Sequence, residues 1–306
     1  MSIKYSLACL LGRSLPPIIA QNLRGRIISI GEGENLNKNF VKKSITGSYF
    51  YGNTSDFHAF VFSVHGYYDW RNIALVNEIL KHKKGDIIEV GSNIGTETIS
   101  YSDIAKKYGY NVYAFEPLPS NLKWLNRIKL NNNLDNLHIS DLLVSDYQGS
   151  AYFEIPKGNN SGSGHIIDSK NSNSLNKFKV VSLDTYLNIS KIAVIAVDVE
   201  GFELNVIRGA ENIINKYRPI LILEVIKKFL RKRAKISLDD FYEYLLSLDY
   251  ECFSISRFGL KKINPKNYQD GGNKNWLCIP SHDINISNKL NRVIFKNAIK
   301  PLPQIN

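Results

Sequence analysis

The residues best suited to chemistry in this chain are acids that close apolar runs. Ile192 to Val197 is continuously apolar and ends in Asp198-Val199-Glu200-Gly201-Phe202-Glu203. An earlier run, Asp86 to Val90, carries Glu89 and ends in Gly91-Ser92-Asn93-Ile94-Gly95-Thr96-Glu97. Carboxylates at the end of a buried strand are costly unless they are paired, ligated or put to use. Asp198 or Glu200 could take the proton of an acceptor hydroxyl, with Glu203 orienting, and a positioned base adds about 10²–10⁴-fold to such a reaction. The same residues also suit plainer roles. Asp198 could cap the helix that follows it, and Glu200 and Glu203 could offset that helix's dipole. Glu224, near the end of the next apolar run, either joins the acids or pairs with Arg218 or a lysine. His165 is a second candidate base if its loop folds over the site.

The loop at 91–97 says what is bound. Glycines at 91 and 95 let backbone approach a ligand without a Cβ in the way. Glu116 closes the next strand about twenty residues on, where a carboxylate holds both hydroxyls of a ribose. The loop lacks the third glycine of a dinucleotide fingerprint and the Lys-Ser/Thr of a phosphate-binding loop. Glu97 would repel a phosphate. A cationic sulfonium donor, S-adenosylmethionine (SAM), suits this acidic loop better than an anion does.

These residues need strands and helices to position them. Asp86–Val90, Val112–Phe115, 137–144, Ile192–Val197, 219–225, 251–255 and 276–279 read as strands, and 57–68 also has strand character. Helices are expected over 69–81, 95–107, 118–129, 203–217 and 238–248. Residues 150–156 alternate like an exposed strand, and 178–187 lead from a short strand into a helix. Residues 157–177 are rich in Gly, Ser and Asn and read as a lid or binding loop. Alternating strands and helices predict an α/β fold with a doubly wound, mostly parallel seven-stranded sheet and a late two-stranded hairpin. In such a sheet the ligand lies outside the strands' carboxyl ends where the winding reverses. That brings 89–95 and 198–203 to face each other.

The 306 residues divide into an N-terminal cap at 1–84, a nucleotide-binding domain at 85–280, and a polar, loosely packed tail at 281–306. A 43% apolar content indicates a globular chain. The three cysteines, Cys9, Cys252 and Cys278, are far apart and lack metal spacing, as expected in a reducing compartment. The net charge of +11, densest at Lys227-Lys228 and 231–235, is a solvated face or a surface for an anionic or membrane-associated acceptor. Nucleic acid is disfavoured because no recognition motif accompanies the charge. No stretch approaches the roughly 20 apolar residues of a spanning helix. A cytoplasmic protein, with peripheral placement at a membrane left open, is expected.

Several motifs together resemble the FkbM-type SAM-dependent methyltransferases. Glu89-Val90-Gly91-Ser92-Asn93-Ile94-Gly95 matches their (D/E)VGxNxG, and Ala114-Phe115-Glu116-Pro117 their AFEP. Ser145-Asp146-Tyr147-Gln148-Gly149 is their SDxxG turn. Asp198 to Glu203 with Val206, Gly209 and Ala210 follows DVEGFExxVxxGA, and Pro219 to Val225 follows P-x-L-x-x-E-V. Glu89 and Ser92 stand where Asp and Ala are commoner, and the first 50 residues match nothing. The resemblance spans about 57–280. It implies a class I methyltransferase, Rossmann-like fold, and SAM as cofactor. Its SAM-binding set would be Glu89, Gly91, Asn93, Gly95, Thr96, Glu116, Pro117, Asp146 and Asp198. Of these, Gly91, Asn93 and Gly95 line the methionine moiety, Glu116 takes the ribose, and 142–146 border the adenine. It also implies an O-methyltransferase acting on a sugar, glycan or related small molecule.

Three other readings compete. An NAD(P)-dependent oxidoreductase or epimerase on nucleotide sugars would need the missing glycine and a Tyr-x-x-x-Lys pair. A nucleic-acid methyltransferase would need an Asn/Asp-Pro-Pro-Tyr motif after the 192–197 strand. A non-catalytic SAM-fold binding protein would leave the acids at 198–203 dispensable. A divalent ion held by Asp198 and its neighbours suits hard-oxygen coordination, but no ligand spacing singles it out, so no metal is assigned.

Overall fold

The computed structural model describes residues 2–155, 158, 160–167, 176–268 and 275–302. Its centre is an eight-stranded sheet. The spatial order is Leu260–Lys262, Tyr250–Ile255, Asn275–Pro280, Ile220–Glu224, Ile192–Val197, Asp86–Val90, Val112–Phe115 and Leu137–Ser140. The seven expected strands are all in it, and Leu260–Lys262 adds a short edge. The five from Ile220 to Leu137 in that order run parallel. The remaining three are antiparallel. The chain winds outward from Asp86–Val90 through Val112–Phe115, then returns to place Ile192–Val197 on the other side of Asp86–Val90. The reversal therefore lies between Val90 and Val197, which are register partners.

Period-two alternation explains the two cores. Ile87, Val194, Ala196, Ile220 and Ile222 face one side, packing with Trp70, Ile73, Val76 and Ile79 of the helix Trp70–His82. Ile88, Ile195, Val197, Leu221 and Leu223 face the other, with Leu204, Ile207, Ile214, Phe241 and Trp276. Strands buried on both faces read as unbroken apolar runs, which is why these were visible in the sequence.

Four elements differ from expectation. Residues 57–68 form the helix Phe57–His65, not a strand. Ala59 through His65 are all buried, so the run has no polar face from which a period could be read. Its ends are set by Asp56, whose side chain accepts from the Ala59 N–H, and by Gly66 at φ +75°. The 137–144 strand divides. Leu137–Ser140 stays in the main sheet, and Leu143–Val144 joins a second sheet with Lys177–Val181, Gly149–Glu154 and His165–Ile167. The helix expected over 203–217 breaks into Glu203–Arg208 and Glu211–Tyr217. At the break, a Cβ on Gly209 would lie 2.0 Å from the Ser145 carbonyl oxygen, so the Ser145 turn sits against glycine backbone. The described part of the tail, 281–302, is packed through its helix, not loose: Ser287–Ile299 buries Leu290, Ile294 and Ala298 against the first core.

The N-terminal segment contributes helices Ile3–Ser14, Pro17–Ile27 and Ile30–Glu34, then a hairpin of Asn39–Lys43 with Tyr49–Asn53. The loop expected at 157–177 is described at 158, 160–167 and 176–177, and the remainder of it lies outside the described residues.

Candidate active site

At the reversal, the Asp198 N–H donates to the Val90 carbonyl at 2.9 Å, so the two strand-end loops touch. Gly91 is what allows this. It has φ +89°, and a Cβ there would stand 1.9 Å from the Asp198 carbonyl oxygen. Gly95, also at φ +89°, instead faces Leu125 and Ile128, with a Cβ predicted 2.8 Å from Leu125 Cδ2. Both glycines thus serve contact between parts of the protein. Gly95, expected at the methionine moiety, is not among the residues lining either lobe.

Glu116 staples the loop. One carboxyl oxygen accepts from the Asn93 N–H and the other from the Leu118 N–H, each at 2.9 Å. Around this staple lies a cavity of two connected lobes, of about 340 and 390 Å³, ample for a small molecule. The inner lobe is lined by Gly91, Asn93, Phe115, Glu116, Pro117 and Leu142–Val144, under a cover made by Asn160–Gly162, Gly164 and Ile166. The cover is tied down by Ser161, whose N–H donates to Asp56 at 3.0 Å and whose carbonyl accepts from Asn121 at 3.3 Å. The outer lobe is lined by Glu89, Ser92, Thr96, Glu97 and Asn72, and by Arg24, Asp69 and Arg71. His58, Tyr68, Asn93, Asp198 and Glu224 line both lobes.

The expected residues fall into two groups. Glu89, Gly91, Asn93, Thr96, Glu116, Pro117, Asp198 and Glu200 line the cavity. Asp146 does not: it is exposed, and bonds the Ser145 hydroxyl and the Asn205 amide. Leu142–Val144 border the inner lobe, and the chain then turns outward before reaching it. His165 projects from the strand opposite Glu154 and faces that carboxylate at 3.5 Å, outside the cavity lining. Glu203 folds beneath its own loop, accepting from the Gly201 N–H at 2.9 Å. It lines neither lobe, so its role is to orient the loop.

The acids are unusually protonable. Burial pushes Glu89 up to about 7, with Thr98 and Ser92 close enough to offset part of it, although Glu89 Oε2 has no hydrogen-bond partner among the described residues. Burial, then the charges of Asp69 and Glu89, pushes Glu97 to about 8. Burial raises Glu116 to about 7 despite its two N–H partners, and Glu203 to about 7. Asp198 is open to the cavity yet deeply set. Its carboxyl is driven well above the usual range by desolvation, then by Glu224 and Glu200. Asp198, Glu200 and Glu224 each offer an oxygen within 4.8 Å of the others, the one trio among the described residues that could hold a metal ion. Glu200, at φ +57°, is held by Arg233 at 2.9 Å. A cavity with this many desolvated carboxyls suits a cationic ligand, which would favour their ionised forms.

Sequence reasoning missed His58, Tyr68, Asp69, Arg71 and Arg24, all from the first 84 residues. His58 sits between Asn93, with its Nδ1 3.3 Å from the amide, and Tyr68, with ring centroids 4.7 Å apart. The Tyr68 phenol is raised above its usual value by burial, then by the charges of Asp198 and Glu224. No motif marks these residues, and the misread 57–68 run hid two of them.

A family profile described as "Methyltransferase FkbM domain" matches residues 89–252, more than half of the chain. No curated protein matches it. Among solved structures it is similar to a methyltransferase FkbM from Methylobacillus flagellatus KT, at 15% identity and TM-score 0.41, over 90% of this chain and 58% of that one. The chain therefore spans under two thirds of that protein's length. It is also similar to an rRNA methylase from Streptococcus thermophilus, at 14% identity and TM-score 0.37, over 68% and 93% of the two chains. A third likeness is the Streptococcus mutans protein SMU.1697c in complex with SAH, at 13% identity and TM-score 0.39, over 68% and 96%. These structural likenesses are too distant to speak about substrates. Through the profile over 89–252, the chain belongs to the FkbM methyltransferase family, whose methyl donor is SAM.

Proposed function

We propose that this chain transfers the methyl group of SAM to a hydroxyl of a sugar, glycan or related small molecule, with Asp198 receiving the hydroxyl proton. The observation that carries this reading is that Asp198 borders both lobes of one cavity. The donor would fill the inner lobe, with its ribose on Glu116 and its adenine against Leu142–Val144. The acceptor would enter the outer lobe. In the step, an acceptor oxygen attacks the methyl carbon as the carbon–sulfur bond breaks. The proton passes to Asp198, and S-adenosylhomocysteine (SAH) leaves. In-line positioning of the two reactants supplies roughly 7–11 kcal/mol of barrier reduction. A carboxyl whose proton affinity is raised by burial and by Glu224 becomes the stronger base once the cationic donor has displaced its proton. Glu200 is the alternative base, but Arg233 already holds it. Glu203 orients the loop.

A divalent ion on Asp198, Glu200 and Glu224 is the second reading, favoured by their mutual distances. Loss of activity to a strong chelator, restored by Mg²⁺ or Mn²⁺, would support it; unchanged activity removes it. A lipid-linked acceptor would bring the chain to a membrane surface. The acid-free helix Ser287–Ile299, exposing Phe295 and Ile299 beside Arg292 and Lys296, supports that placement. No helix among the described residues is long and apolar enough to cross a membrane.

The test is incubation with methyl-labelled SAM and a panel of glycan acceptors, read by mass spectrometry. Label on an acceptor oxygen is expected. SAM binding with label on nitrogen or carbon only would overturn the hydroxyl assignment.

A further inference from the structure

The outer lobe contains two guanidinium groups that the protein leaves incompletely partnered. Arg24 reaches it from the helix Pro17–Ile27 and Arg71 from the first turn of Trp70–His82. Each buries its Nε without a hydrogen-bond partner. Arg71 keeps one ion pair, Nη1 to Asp69 at 3.1 Å, and lies over the Trp70 ring at 4.9 Å. The Arg24 side chain has no ion pair or hydrogen bond among the described residues. Burial weakens its hold on its proton, and no acid offsets that effect. Nearby, the buried His65 imidazole is held neutral, down to about 4, by desolvation first and then by the charges of Arg24 and Lys42.

A guanidinium does not shed its proton inside a protein. A half-buried, unpaired one costs free energy until an anion completes it. We infer that the outer lobe takes an acceptor bearing an anionic group, a carboxylate or a phosphate, held by Arg24 and Arg71. The planar fork of arginine fits either group bidentately. The lobe that Arg24 enters is also lined by the uncharged Gln21, Ile30, Phe57 and Val61. The lobe also holds acids: Asp69 is paired with Arg71, Glu89 and Glu97 are buried in the wall, and Asp198 and Glu224 border both lobes, so Arg24 is the cation left for an incoming anion. A molecule with a hydroxyl at one end and an anion at the other would span the lobe in one orientation. This rests on the methyl-transfer reading and deepens it by naming the acceptor's charge.

The carboxylate of the SAM methionine is the other anion that could reach these arginines, and the experiment separates the two. Calorimetry first measures SAH binding to wild type, to Arg24→Gln and to Arg24→Lys, which reads the donor site by itself. Glucuronate, glucose 6-phosphate, inorganic phosphate and neutral glucose are then titrated into each SAH-loaded protein. Wild type is expected to bind the three anions more tightly than glucose, with their ranking telling carboxylate from phosphate. Arg24→Gln should weaken anion binding by roughly ten- to a hundredfold, the loss of a charged hydrogen bond. Arg24→Lys should recover part of it, and SAH affinity should be unchanged in both. Three outcomes overturn the inference: no preference for anions in wild type, anion binding untouched in Arg24→Gln, or a loss that falls on SAH instead. Failure of SAH to bind wild type would overturn the proposed function itself.

Discussion

The two lobes of the cavity are built by different means. The inner lobe is made largely of strand-end main chain: Gly91 against Asp198, the Glu116 staple on two N–H groups, and the border Leu142–Val144. The outer lobe takes much of its wall from the first 84 residues, through His58, Arg71 and Arg24 on helices and Tyr68 in the turn between two of them. Backbone geometry tolerates few sequences, so the inner lobe carries motifs. Side chains projecting from the N-terminal segment tolerate many, so that part of the outer wall carries none. A family sharing one donor while varying its acceptor is expected to divide its site in this way.

The contrast can be tested most severely at Asp198, where the lobes meet. Asp198→Asn is expected to lower kcat by about 10²–10⁴-fold with SAM affinity retained in calorimetry. Unchanged turnover would remove it as the proton acceptor. Gly91→Ala should cost roughly 3 kcal/mol or more in denaturant unfolding, from the positive φ together with the clash on Asp198. A small change would mean that the two loops are not in the close contact described. Glu116→Ala should weaken SAM about a hundredfold, as charged hydrogen bonds to the ribose and the staple are lost. Acceptor binding in the outer lobe should change far less, and an equal loss on both sides would erase the distinction between the lobes.

Proton linkage gives a finer measure. Glu89 and Glu116 have folded values near 7 against an ordinary 4.5, and Glu97 near 8. Groups raised in this way stabilise the empty protein fully below the ordinary value, and the contribution fades as pH rises through the folded values. The melting temperature of the unliganded protein should therefore fall between about pH 5 and 8. SAM should shrink that fall and release protons near pH 7, seen as a binding enthalpy that varies with the buffer's heat of ionisation. No buffer dependence would mean that these acids do not titrate on binding. The smallest effect is expected at Asp146→Ala. Lying outside the cavity, it should leave SAM affinity unchanged and shift stability by no more than about 0.5 kcal/mol.

Legibility followed the same division. The strands Asp86–Val90, Val112–Phe115 and Ile192–Val197 were readable to the residue, because burial on both faces leaves an uninterrupted apolar run with a polar end. Glu116 and Asp198 were readable because the acid ends the run. Phe57–His65 was not, since a helix buried all round and rich in aromatic residues shows no helical period. Asp146 and His165 were placed in the site from a neighbouring motif and a loop's composition. Neither reveals that the chain turns away after Val144, or that His165 would meet Glu154.

From its order of residues alone, the chain determined an α/β sheet, the position of its reversal, the acids at its strand ends and the family, because each depends on contacts between segments that local pattern already specifies. Tertiary structure alone decided which N-terminal side chains complete the outer lobe, and that Gly95 and Glu203 brace the site without lining it. Those outcomes depend on which helix faces pack together across long stretches of sequence, and no short-range pattern encodes that.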